Sequence, residues 1–133
     1  MEFIEIFKAL GDENRIRILN ILKEGELCVC EIESILGITQ SNASRHLNKL
    51  KNLKIINAEK KAQWVYYSID ENFIEENKLL YDYLSEQLAK DNTYTKDIKM
   101  LKKYKCSSFT CEDLRECKEK IMNYLEGNHE CKK

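Results

Sequence analysis

Apolar residues recur at helical spacing along most of the chain and alternate in one short stretch. Over residues 1–10, Phe3, Ile6, Phe7 and Leu10 fall on one side of a helix. Gly11-Asp12 interrupts it, and Asp12 suits the N-cap of a second helix carrying Ile16, Leu19, Ile21 and Leu22, which ends at Gly25. An extended piece, Glu26-Leu27-Cys28, leads into a third helix through Ile32, Ile35 and Leu36, stopped by Gly37. Thr39 caps a fourth, with Ala43, Leu47 and Leu50 inward and Gln40, Ser41, Asn42, Ser44, Arg45 and His46 outward.

Residues 55–60 and 63–69 then predict two strands around a short polar turn, the second rich in aromatic and β-branched side chains (Trp64-Val65-Tyr66-Tyr67). A long helix is expected from about residue 71, with Phe73, Leu80, Leu84 and Leu88 on one stripe and Ile74 and Tyr81 beside it. The chain next turns polar and lysine-rich as far as Cys106. A last helix is expected over about 110–126, opened by a Thr110–Asp113 capping pattern and closed by Gly127. This divides the chain into residues 1–90, a DNA-binding and dimerisation domain, and 91–133, a cysteine-containing helical extension.

Helix, glycine-containing turn, helix, then hairpin is the order of a winged helix-turn-helix, a mainly α fold with a small β-hairpin. The fourth helix can offer Gln40, Ser41, Asn42, Ser44, Arg45 and His46 to base edges or phosphates of a major groove. Lys60 and Lys61 at the hairpin tip can reach the neighbouring backbone. Charge supports this placement. The formal net charge is −1, yet residues 39–63 hold Arg45, Lys49, Lys51, Lys54, Lys60 and Lys61 against Glu59 alone. One basic face on an acidic molecule steers that face toward phosphate. The stripes of the first helix and of 73–88 are too apolar to stand exposed, which predicts a dimer. Its two recognition helices, about 34–36 Å apart, would read an inverted repeat of operator DNA.

Six cysteines in 133 residues need a chemical account. No stretch approaches the roughly 20 apolar residues of a membrane span, and the acidic, amphipathic start does not resemble a secretory signal. A cytoplasmic protein without membrane contact is expected, with reduced thiols, metal ligands or redox sensors rather than structural disulfides. Cys28-Val29-Cys30 lies at the start of the third helix, where the helix dipole favours thiolate, and thiolates select soft ions. On a regular helix these two side chains point about 200° apart. Shared ligation therefore requires Cys28 ahead of the helix or an unwound first turn.

Three stretches together, Glu26-Leu-Cys-Val-Cys-Glu31, Thr39-Gln-Ser-Asn-Ala-Ser-Arg-His-Leu47 and Trp64-Val-Tyr-Tyr67, resemble the ArsR/SmtB family of metal-sensing repressors. So does the segment from Leu10 to Leu19, and the likeness spans about residues 1–90. Ala62 departs from it, standing where the hairpin turn often has glycine. The resemblance implies a homodimeric repressor, not an enzyme, that needs no cofactor to bind DNA and leaves its promoter when metal binds.

The Glu-Leu-Cys-Val-Cys run is similar to that of arsenite/antimonite and cadmium/lead sensors. As(III) or Sb(III) is the expected inducer, with Cd(II)/Pb(II) or thiol oxidation as alternatives. Arsenite sensors have a third cysteine where this chain has Glu33, and the N-terminal cysteines of cadmium/lead sensors have no counterpart here. The zinc positions of the family fall on Glu71, Phe73, Leu84 and Gln87, which lack its histidines. Cys106, Cys111, Cys117 and Cys131 lie beyond the family core: one of them can close the site of Cys28 and Cys30, from the same or the other subunit, or Cys106, Cys111 and Cys117 can form a separate three-thiolate site. Cys117 shares a face with Leu114 and Ile121, so burial explains it equally well. No Cys-x-x-Cys in a βαβ setting and no base beside a nucleophile support a thiol enzyme.

Overall fold

The computed structural model describes residues 2–107, 109–110 and 112–114. Its elements in chain order are α1 (Glu2–Leu10), α2 (Glu13–Leu22), β1 (Leu27–Cys28), α3 (Val29–Leu36) and α4 (Gln40–Asn52). They continue with β2 (Ile56–Lys61), β3 (Trp64–Ile69), α5 (Glu71–Glu76), α6 (Lys78–Lys90) and α7 (Asn92–Cys106). The three strands form one antiparallel sheet in the order β1-β3-β2. A mainly helical winged helix-turn-helix with a small sheet is the fold the hydrophobic pattern predicts.

Local chemistry sets the boundaries. Asp12 caps α2 by accepting from the Arg15 amide at 3.2 Å. Gly37 closes α3 in the left-handed region (φ 67°), a conformation glycine adopts without strain. Lys54 (φ 60°) reverses the chain after α4, letting the Ile55 amide bond the Leu50 carbonyl at 3.0 Å. One hydrophobic core joins Ile18, Ile21, Leu27, Ile32, Leu47, Leu50, Ile55 and Ile56 to Leu101 and Tyr104 of α7. Full burial of Leu101 supplies about 1.5–3 kcal/mol toward docking that helix.

Two expectations are corrected and two stretches are given their structure. The helix expected from residue 71 is broken at Asn77 (φ −126°, ψ 41°), whose side-chain amide donates to the Phe73 carbonyl at 3.1 Å. Short polar side chains compete for helix backbone in this way. Its apolar stripe also turns inward: Phe73 and Leu88 are buried, while Leu79 and Tyr83 are the exposed large residues of α6. The lysine-rich stretch after residue 90 is α7, capped by Asp91 and carrying Ile98, Leu101 and Tyr104 against the core. The extended piece before α3 is a strand, Leu27 pairing with Tyr67 and Cys28 with Tyr66.

The Thr110–Asp113 cap forms as expected, with the Thr110 amide donating to Asp113 at 2.8 Å and the Asp113 amide to Thr110 at 3.4 Å. The remainder of the helix expected over 110–126 lies outside the described residues, as do Cys111 and Cys117. Among the described residues no helix is long and apolar enough to cross a membrane.

Candidate nucleic-acid interface and cysteine site

Thr39 accepts from the Asn42 amide at 3.2 Å and starts α4 squarely after the Gly37 turn. Ala43, Leu47 and Leu50 are buried against α2 and α3. Gln40, Ser41, Asn42 and Arg45 stand exposed on the opposite side, with Ser44 half-buried beside them. No acidic residue occupies the first turn of α4. The positive end of its dipole is therefore left to an anion from outside the helix. Arg45 donates to the Asn42 side chain at 3.3 Å, which holds both polar ends on the outer face.

His46 belongs to the other side. Expected among the outward residues, it is 1% exposed. Its Nδ1 lies 3.3 Å from an Arg15 guanidinium nitrogen, and its Nε2 lies 3.9 Å from Asp12. Arginine cannot accept, so Nδ1 accepts and the ring is neutral. Burial pushes the His46 pKa below its ordinary value, against the pull of Asp12 and with the push of Arg45 and Arg15. Burial raises the Asp12 pKa, but the hydrogen bond from the Arg15 amide and the positive charge that gathers around the carboxylate at low pH outweigh it and leave the pKa lowered. His46 is thus a polar strut between α4 and the start of α2. Helical periodicity failed to find this because residue 46 sits at the edge of the inward stripe.

At the wing, Lys60 pairs in register with Val65 and Lys61 with Trp64 across a two-residue turn. Ala62 holds that turn at φ 56°. Lys60 is exposed. Lys61 is also exposed, but it is engaged by Glu26 at 2.6 Å and lies 5.8 Å from the Tyr66 ring centre. Its hydrogen bond to Glu26 raises the Lys61 pKa. The pair stays open to water, so it contributes little to stability.

The cysteine site sits at the root of this wing. Cys28 is fully buried, ends β1 beside Tyr66, and is the N-cap of α3 in extended conformation (φ −85°, ψ 167°). It therefore lies ahead of the helix rather than within its first turn. Cys30, half-buried in the first turn of α3, keeps its thiol. Glu31 reaches back to accept from the Cys28 amide at 2.9 Å, and its other oxygen accepts from the Tyr104 hydroxyl of α7. Burial, then the bond to Glu31, drives the Tyr104 pKa far above its ordinary value, so it stays a donor.

The expectation of reduced thiols is not met at two positions. Cys28 and Cys106 are each disulfide-bonded. Cys30 is not so bonded. Among the described residues no group of three or more His, Cys, Asp or Glu is assembled to hold a metal ion.

α7 grips the same scaffold elsewhere. Arg17 of α2 donates to both Asp97 oxygens at 2.8 and 3.0 Å and to the Leu36 carbonyl at 3.0 Å. Asn20 donates to the Tyr94 carbonyl at 2.9 Å. The bond to Asp97 raises the Arg17 pKa. α3, the support for α4, is therefore held at its start through Tyr104 and at its end through Arg17 and Asp97. Sequence reasoning missed these ties because each joins residues far apart along the chain.

Comparison with known proteins agrees with this geometry. Residues 12–58 match the bacterial regulatory protein arsR family. A cadmium resistance transcriptional regulatory protein CadC homolog from Staphylococcus aureus is 42% identical over 77 residues, 57% of this chain and 64% of the relative. The arsenical resistance operon repressor of Bacillus subtilis is 38% identical over 84 residues, 62% of this chain and 74% of the relative. A homodimeric winged helix-turn-helix DNA-binding domain from Mycobacterium bovis, a possible ArsR-family regulator, superposes with a TM-score of 0.57. It is 26% identical and covers 65% of this chain and 80% of its own. The chain spans between half and two thirds of the length of the first CadC and ArsR1 relatives. The exposed polar face of α4, the wing, and the identity shared with these regulators place the chain in the ArsR/SmtB family of winged helix-turn-helix transcriptional regulators.

Proposed function

We propose that the chain acts as a homodimeric repressor of operator DNA, released when As(III) or Sb(III) is taken up by thiolates that include Cys28 and Cys30. Gln40, Ser41, Asn42, Ser44 and Arg45 meet the major groove, and Lys60 and Lys61 meet the backbone beside it. The apolar residues left exposed on α1 and α6, Phe3, Phe7, Leu79 and Tyr83, suit a second copy of the chain. That pairing sets two copies of α4 on an inverted repeat.

One observation carries the sensing role: Cys28 is at once the strand partner of Tyr66 in the wing and the N-cap of the helix that supports α4. A ligand that draws this sulfur toward Cys30 disturbs both DNA-contacting elements together. A coupling of about 1–3 kcal/mol changes operator occupancy several-fold to a hundredfold. Cadmium and lead are soft enough for the same sulfurs. A second reading, release by thiol oxidation, is favoured by the disulfide at Cys28 itself.

Anisotropy of a labelled inverted-repeat duplex tests this, using protein reduced with a phosphine and titrated with arsenite, cadmium, zinc or peroxide. Arsenite is expected to release the duplex, and replacing Cys28 and Cys30 with serine to abolish that response. Release by peroxide alone would leave the redox reading. Release by none would refute sensing at these sulfurs.

A further inference from the structure

We propose that the cleft between α2, α6 and α7 is a second ligand site, which takes a small organic anion with an apolar body, a medium-chain or aromatic carboxylate or sulfonate. It is separate from the sulfurs and from the DNA-contacting face. Among the described residues, its lining includes no cysteine and nothing from α3, α4 or the wing.

The cleft measures about 490 Å³, within the roughly 300–1,000 Å³ of small-molecule sites. One face of α7 turns toward it: Thr95, Ile98, Lys99 and Lys102 follow the spacing of a single helical stripe. Leu88 is buried and Ile98 half-buried, so together they form an apolar floor, while exposed Lys99 and Lys102 stand at the rim. The walls are fixed before any ligand arrives. Asn20, buried on the α2 side, donates to the Tyr94 carbonyl at 2.9 Å, and one turn earlier Arg17 grips both oxygens of Asp97. A preformed site asks little reorganisation of its ligand.

Charge selects the occupant. Lys8, Lys78 and Lys90 are each matched by an acid on their own helix. Lys23, Lys99 and Lys102 enter no ion pair among the described residues, and the cleft sets these three against Glu24 alone. An inorganic anion would satisfy the ammonium groups and leave Leu88 and Ile98 wet. A neutral apolar molecule would cover the floor and leave the lysines without a counter-charge. A ligand with both parts answers both, and the lysine stems extend the apolar wall around it. Leu88 follows the exposed Leu79 by nine residues, which sets it on about the opposite side of α6. The α6 surface offered to a second copy of the chain therefore turns away from the floor of this cleft.

Fluorescence titration of the full chain with anilinonaphthalene sulfonate, a fused apolar ring pair bearing one sulfonate, tests this. One dye per chain is expected to bind saturably. Octanoate should displace it, octan-1-ol should need roughly tenfold more, and inorganic phosphate at equal ionic strength should not compete. Lys99→Glu with Lys102→Glu should weaken the dye roughly tenfold. Ala89→Trp, which fills the cleft from an exposed position, should abolish its binding. Urea midpoints matching the wild type show that both variants are folded.

Dye binding unchanged in both variants would place the dye on other apolar surface and overturn the proposal. Displacement by phosphate, or by octan-1-ol as readily as by octanoate, would overturn the pairing of apolar floor with lysine rim. Replacing Cys28 and Cys30 with serine should leave the dye titration unchanged, so this site stands or falls apart from thiol sensing. A dye affinity that moved with those sulfurs would refute two separate sites.

Discussion

α4 and α7 are helices of similar length, 13 and 15 residues, and they use their polar side chains in opposite ways. Along α4, Gln40, Ser41, Asn42 and Arg45 face outward, and Arg45 bonds the Asn42 side chain on the same face. Along α7, Asp97 and Tyr104 face inward and tie to residues on α2 and α3 that lie 80 and 73 positions away. Polar groups turned outward are held ready for a partner, whereas polar groups turned inward hold the molecule together. Substitutions on the two helices should therefore separate cleanly into effects on binding and effects on folding.

The largest expected effect falls on α7. Asp97→Ala leaves Arg17 largely buried with only the Leu36 carbonyl to satisfy it. Breaking such a pair from one side costs about 3 kcal/mol. Urea unfolding should show the midpoint falling with the slope unchanged. A loss below about 1 kcal/mol would mean that α7 is not braced through this pair, and the contrast with α4 would weaken.

On α4, Arg45→Ala should cost about 1–3 kcal/mol of operator affinity, a loss of roughly tenfold to a hundredfold. Its stability should stay within about 0.5 kcal/mol of wild type, because the side chain is exposed and bonded only to Asn42. Duplex titration and urea unfolding of the same sample check both halves. A stability loss like that of Asp97→Ala would place Arg45 among the inward-acting residues.

These two helices also mark how far the amino-acid sequence could be read. α4 was legible because its determinants are local: a capping Thr39, the Gly37 turn, inward Leu47 and Leu50, and polar residues between them. α7 was hidden because its apolar residues Ile98, Leu101 and Tyr104 are spread among lysines, and its polar anchors are meaningful only beside Arg17 and Glu31. At the candidate site, the Cys28–Cys30 spacing was legible. The pairing of β1 with the wing, and the disulfide at Cys28, depend on contacts across the chain. His46 was misplaced for a related reason. Its one-sided pattern gave its position on α4, but only Arg15 and Asp12 reveal that it is enclosed.

That enclosure gives His46 a pH signature. Its folded pKa lies below the ordinary 6.5 because burial disfavours the cation. The stability supplied by the neutral ring is whole above pH 6.5. It is lost as pH falls through the folded value, because the unfolded chain takes up a proton that the native chain resists. The expected slope reaches about 1.4 kcal/mol per pH unit inside that window. Asp12, whose pKa is lowered, keeps its charge in that window. His46→Gln should flatten the curve in urea titrations between pH 7 and 5. An unchanged curve would mean that the ring is protonated in the folded protein, and so is not the neutral strut between α4 and α2.

The smallest effect belongs to the wing turn, where a gain is expected. Ala62 occupies the left-handed region at φ 56°, which costs an alanine roughly 1 kcal/mol and a glycine almost nothing. Glycine also loses more chain entropy on folding, so Ala62→Gly should stabilise by only about 0.5 kcal/mol. The wing faces outward as α4 does. The substitution should therefore leave arsenite binding at the root of α3 untouched, while any change in operator affinity reports how stiffly Lys60 and Lys61 are presented. Urea unfolding and duplex titration of this variant give both values. A destabilised protein would show that Ala62 packs in a way its exposed position does not suggest, while a shifted arsenite response would show that the wing tip and the Cys28 strand move as one body.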